Sequence, residues 1–147
     1  MIDNGTQARE LPPVARRTNG LSSEAPEPGQ LVLVTGGAGY IGSVLCERLL
    51  KRGYRVRILD RLYWGRGPIA ALLDQVEVIE ADVRDMPATA LDGVDAVIHL
   101  AGLSNDPTAE YDPEANWQMN AVATETLGRN CVHRDVERIA RSHHRRA

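Results

Sequence analysis

The chain has 147 residues, 43% hydrophobic and 25% charged, with no Phe and a net charge of −3. This is the composition of one globular domain with a real core, and it argues against a nucleic-acid or membrane-surface partner. No apolar run approaches the ~20 residues that span a bilayer, and the N-terminus lacks the basic-then-apolar order of a secretory signal, so a cytoplasmic location is expected.

Met1 to Gln30 is polar, carries Pro12, Pro13, Pro26 and Pro28, and shows neither helix nor strand period; residues 1–30 read as a disordered extension. The pattern then changes. Leu31 to Thr35 is a continuous apolar run, as in a parallel strand covered on both faces. After a cluster of glycines, Tyr40 to Arg52 has helical spacing, with Ile41, Val44, Leu45 and Leu49 on one face, and Gly53 stands where a helix C-cap glycine belongs. Arg55 to Leu59 is a second strand ending at Asp60. Leu62 to Asp74 is a loop running into a short helix, and Val76 to Ala81 a third strand closing at Asp82-Val83. Ala88 to Leu91 is a short helical segment, and Asp95 to Ala101 a fourth strand. Asp112 and Pro113 form the N-cap and first residue of a long helix, with Met119, Val122 or Ala123, Leu127 and Cys131 as its apolar positions and Trp117 as a packing residue. Val136 to Ala140 opens a fifth strand, and residues 141–147 form a basic tail.

Strands alternating with helical segments predict an α/β fold, a Rossmann-like doubly wound parallel sheet with right-handed crossovers, occupying residues 31–140. Cys46 and Cys131 stand in neither a CxxC nor a zinc spacing and read as reduced, buried thiols. His143-His144 has no ligand partner at a useful spacing, so no metal site is expected. The arginines of the C-terminal stretch admit a phosphate- or RNA-binding tail, but a solvated tail is the simpler reading.

The chemistry concentrates between Thr35 and Gly42. Gly37-x-Gly39-x-x-Gly42 and Gly36-x-x-Gly39-x-x-Gly42 are both present. In either register an early glycine makes the tight turn, Gly39 lets the backbone approach a pyrophosphate, and Gly42 allows close packing of helix and strand. The first helical N–H groups, including those of Tyr40 and Ile41, then face the anion. The motif follows an apolar strand, opens a helix, and is followed by an acid, Asp60, ending the second strand. Asp60 is placed to accept from the adenosine ribose hydroxyls, which favours NAD; Arg61 beside it could take a 2′-phosphate and so admits NADP.

With these residues assembled, the chain resembles the extended short-chain dehydrogenase/reductases, specifically the NAD-dependent sugar-nucleotide epimerase/dehydratase family, over about residues 31–139. Thr35 to Gly42 matches the family's TGGxGxIG loop and Asp60 its ribose-binding acid. Asp82-Val83 resembles the pair in which the aspartate contacts the adenine amino group and the next backbone contacts the ring. His99-Leu100-Ala101-Gly102 looks like the family's HxAG turn, with Leu100, Ala101 and Gly102 lining the cofactor; His99 itself reads as a core histidine and not a catalytic one. Asn120 falls where such proteins carry a helix asparagine supporting the central strands and the cofactor site. The resemblance implies NAD or NADP as cofactor and a nucleotide sugar as substrate.

The catalytic residues that the resemblance implies are missing. The family uses Tyr-x-x-x-Lys with an upstream Ser or Thr, the lysine lowering the tyrosine's pKa for proton exchange. Positions four after Tyr40, Tyr54, Tyr63 and Tyr111 hold Val44, Ile58, Gly67 and Ala115, and Lys51 is the sole lysine among the 17 basic residues. No catalytic residue is therefore assigned. The expectation is a chain truncated within the fifth strand: a dinucleotide binder, inactive alone, that handles a nucleotide sugar only if completed by missing regions. The alternative is a noncatalytic or redox-sensing module. A sheet cut there leaves the fourth strand as an unpaired edge, predicting marginal stability or association, possible oligomers included.

Overall fold

The computed structural model describes residues 29–103 and 112–141. The expected extension up to residue 28, Tyr111, and the tail beyond Arg141 lie outside the described residues. Five strands, β1 (Leu31–Thr35), β2 (Arg55–Asp60), β3 (Val76–Glu80), β4 (Ala96–His99) and β5 (Arg138–Arg141), form one parallel sheet in the order β3-β2-β1-β4-β5. Helix α1 (Tyr40–Lys51) joins β1 to β2. Short 3-10 turns at Gly67–Leu72, Val83–Asp85 and Ala88–Leu91 replace longer helices on the other crossovers. The last crossover is one long helical stretch: α2 (Pro113–Trp117), a π turn (Gln118–Val122) and α3 (Ala123–His133). Asp112 caps it as expected, its carboxylate accepting from the Ala115 N–H at 2.9 Å.

The continuous apolar run of β1 has the predicted cause. Successive side chains alternate between faces, and all five residues are buried. Leu31 and Leu33 join Leu59, Val97, Leu127 and Cys131 on one face. Val32 and Val34 join Val56, Ile58, Cys46, Leu49, Ile69 and Leu72 on the other. Both cysteines are free and buried, one in each layer. Burial pushes the Cys46 thiol up to about 12 and raises that of Cys131.

Four expectations are corrected. The face of α1 that meets the sheet is Gly42, Cys46 and Leu49, while Ile41 and Val44 are exposed. The helix must turn Gly42 onto the glycine loop, and that contact sets its phase. Trp117 is exposed, not packed, because the buried stripe of the long helix runs along Ala123, Leu127 and Cys131. The fourth strand is not an edge: β5 pairs with it from Ala96↔Arg138 to His99↔Arg141. That strand begins two residues later than predicted, because Asp135 takes a positive φ of 54° and Val136 packs into the core; it reaches Arg141, the first residue assigned to the tail.

Candidate functional site

The strand order reverses direction between β1 and β4, since the chain runs outward through β2 and β3 and then crosses back. In open α/β sheets, ligands bind outside the carboxyl ends of the strands at such a point. Every sequence-predicted site residue but Asn120 lies on this rim. Gly36 to Gly42 follow β1, Asp60 and Arg61 end β2, Asp82 and Val83 follow β3, and Leu100 to Gly102 follow β4.

The structure assigns the glycines their work. Gly36 makes the turn, at φ +73°, and a Cβ there would lie 2.7 Å from the Ala101 backbone nitrogen. Gly37 is pressed on Ile58, whose Cγ2 would stand 2.8 Å from an added Cβ. Gly42 sits against the Gly36 carbonyl oxygen and Gly37 Cα, so its close packing is onto the loop itself. Gly39 is the N-cap of α1, a residue without a side-chain oxygen to cap with, and the first helical turn carries no acid. The positive end of the helix is therefore left for an anion. Tyr40 and Ile41 stand at this end with exposed side chains.

Asp60 is fixed by backbone. One carboxylate oxygen accepts from the Ala38 N–H in the loop at 3.0 Å, the other from the Leu62 N–H at 2.8 Å. Asp82 faces cations. Its oxygens accept from the Arg84 guanidinium at 3.0 and 2.7 Å and from the Arg84 N–H at 2.8 Å. Arg61 reaches the same carboxylate at 3.4 Å, bringing two predicted residues together. The Arg84 hydrogen bonds, with smaller help from the charge of Arg61, hold the Asp82 carboxyl below the usual carboxylate range. Val83 is buried.

Across the crevice the turn after β4 is held by polar side chains. The Leu100 N–H donates to the Thr35 carbonyl at 3.0 Å and the Ala101 N–H to Thr35 Oγ1 at 3.4 Å. Asn120 grips Leu103 twice: its Oδ1 accepts from the Leu103 N–H at 3.1 Å and its Nδ2 donates to the Leu103 carbonyl at 2.8 Å. Nδ2 also donates to Asn116 Oδ1. The asparagine amide is thus spent on Leu103 and Asn116.

His99 is buried, as its core reading required. Its Nδ1 lies 2.6 Å from Thr35 Oγ1 and its Nε2 3.0 Å from Thr124 Oγ1. Thr124 gives its one hydroxyl proton to the Asn120 carbonyl at 2.8 Å, so it accepts from His99 Nε2–H. Nδ1 is then bare and accepts from the Thr35 hydroxyl. Burial, with the charge of Arg141, lowers the ring's pKa to about 4, consistent with this neutral form. Thr124 and Arg84 carried no sequence signal of their role, and Thr35 was visible only as the start of the loop. Among the described residues no cluster could hold a metal ion, and a cleft of about 490 Å³ between α1 and the Gly67–Leu72 turn lies away from this rim.

The cradle that Cβ atoms would fill, the uncapped helix start and the fixed Asp60 carboxylate fit a dinucleotide. Comparison with known proteins agrees. The NAD dependent epimerase/dehydratase family model matches residues 32–142. UDP-glucose 4-epimerase of Halalkalibacterium halodurans is 35% identical over 112 residues, 74% of this chain and 33% of that protein. A Mycobacterium tuberculosis 3 beta-hydroxysteroid dehydrogenase/Delta 5-->4-isomerase is 36% identical over 118 residues, 76% of this chain and 30% of that one. Among solved structures, the Thermus thermophilus UDP-glucose 4-epimerase complex with NAD superposes with a TM-score of 0.68 at 32% identity, over 75% of this chain and 36% of that chain. The chain thus spans about a third of the length of these relatives. A family-model match over most of the chain, residues 32–142, makes this protein a member of the NAD dependent epimerase/dehydratase family.

Proposed function

We propose that this chain is the NAD-binding part of a nucleotide-sugar epimerase or dehydratase and that it binds the cofactor without turning substrate over by itself. The observation that carries the reading is the Gly36–Gly42 loop, closed tightly on itself and opening an uncapped helix beside Asp60. When bound, NAD supplies the site with a hydride acceptor and donor. The residues of this chain would bind and orient it. First-turn N–H groups meet the pyrophosphate, Asp60 accepts from the ribose hydroxyls, and the Asp82-Val83 segment and the Leu100–Gly102 turn flank it on either side. Arg61 already has a carboxylate partner in Asp82, which supports NAD over NADP.

Proton exchange with a substrate hydroxyl has no agent here, since no tyrosine is followed four residues later by lysine. That absence also favours a second reading, a noncatalytic or redox-sensing dinucleotide module. The substrate class rests on the sugar-nucleotide relatives; the steroid relative matches the same region, so the region itself does not choose the substrate. Calorimetry with NAD, NADP and ADP-ribose tests the binding: NAD and ADP-ribose are expected to bind and NADP to bind more weakly. Binding of none of the three overturns the proposal. A panel of UDP- and dTDP-sugars with added NAD, and a 3β-hydroxysteroid as a further arm, is expected to show no turnover. Turnover by the isolated chain would refute the inactivity.

A further inference from the structure

The turn that faces the glycine loop is pinned from the helix behind it. Past the end of β4 the backbone is held at three points: Leu100 on the Thr35 carbonyl, Ala101 on the Thr35 hydroxyl, and Leu103 on the Asn120 amide. The last two lead to the same place. From the Ala101 N–H, a directed chain runs through the Thr35 hydroxyl, the His99 ring and the Thr124 hydroxyl to the Asn120 carbonyl. Arg141 of β5 donates to that carbonyl as well, at 3.0 Å. All of this converges on the π turn, where the Ala123 N–H reaches five residues back to the Gln118 carbonyl.

Chains of this kind are directional. Each hydroxyl has one proton, so the terminal acceptor fixes the donor sense of every member. The Thr35 hydroxyl gives its proton to His99 and accepts from the Ala101 N–H on a lone pair, and His99 presents a bare Nδ1 because its proton goes to Thr124.

We propose that Thr124 is a positioning residue for the dinucleotide, acting through His99 and Thr35 to set where the Leu100–Gly102 turn lies against the Gly36 loop. The margin there is small, because the Ala101 nitrogen would lie 2.7 Å from a Cβ on Gly36. A turn that drifts inward or outward changes the width of the crevice. The proposal rests on the cofactor reading above.

The test compares the full chain with its Thr124→Ser, Thr124→Val and Thr124→Ala variants. NAD affinity is measured by calorimetry at a temperature where each is folded, and the His99 ring by nitrogen-15 NMR, assigned with His99→Gln. Wild type and Thr124→Ser should show the Nε2–H tautomer and NAD affinities within about twofold. Thr124→Val and Thr124→Ala should show a mixed tautomer and bind NAD about tenfold more weakly. Thr124→Ala removes the hydroxyl with less crowding than valine, so a poorly folded Thr124→Val leaves the outcome decidable. An Nδ1–H tautomer in the wild type overturns the chain's direction. Unchanged NAD affinity in a variant whose tautomer has shifted overturns the positioning role while leaving the cofactor reading intact. Failure of the wild type to bind NAD or ADP-ribose overturns both.

Discussion

On the β1 side of the crevice the backbone comes close by having no side chains, whereas on the β4 side it is set in place by polar ones. Gly36, Gly37, Gly39 and Gly42 close the loop through van der Waals contact with the chain's own backbone and with Ile58. Thr35, His99, Thr124 and Asn120 hold the opposite turn through hydrogen bonds. The first wall is intolerant of added volume. The second depends on its donors and acceptors, and at Gly102 it too has no room for a Cβ, which would run into Asn120 Oδ1. A similar contrast separates the sheet's centre from its edge, for β1 is wholly buried and the edge strand β5 wholly exposed.

Mutations break this comparison in order of size. Gly42→Val drives a side chain into the Gly36 carbonyl and is expected to cost about 3 kcal/mol and to abolish NAD binding; a variant that melts with the wild type and still binds would refute the steric account of the first wall. Asn120→Ala strands the Leu103 N–H and carbonyl and should cost about 2 kcal/mol in urea unfolding. A cost below about 0.5 kcal/mol would show that the second wall does not depend on that amide. Asp60→Asn points an amide N–H at one of two backbone donors, Ala38 or Leu62, and should weaken NAD about tenfold in calorimetry. The last test is a pH effect. His99 titrates near 4 when folded against an ordinary 6.5, so the unfolded chain takes up its proton first. Stability from this group is complete above pH 6.5, falls as pH drops toward 4, and levels off below. Denaturant midpoints across that window should slope, and His99→Gln should flatten the slope; an equal slope in both proteins would assign it to other groups.

The first wall was legible in the sequence and the second mostly was not, for a physical reason. A glycine loop states its geometry locally, through residues without Cβ between a strand and a helix, and Asp60 follows at the spacing one crossover imposes. The phase of α1 was misjudged because hydrophobicity favoured Ile41 and Val44, while the contact at Gly42 decides which face turns inward. The relay joins Thr35 to His99 across 64 positions and His99 to Thr124 across 25, distances over which single residues carry no pattern. Asn120 was visible through family likeness alone, and nothing pointed to its grip on Leu103. Arg84 went unnoticed because an arginine two residues after an aspartate is an ordinary surface pair until the turn folds it back on the carboxylate.

The two free cysteines give the fold a pair of built-in reporters. Cys46 lies in the layer under α1 and Cys131 in the layer under α3. Both are shielded, and both are held as thiols, whereas it is the thiolate that attacks an alkylating reagent. Each can react only when its own layer opens. The rates at which the two are labelled therefore measure separately how often each face of the sheet lets water in, in one chain and without a mutation. If the polar-held side is the looser one, Cys131 will be modified first.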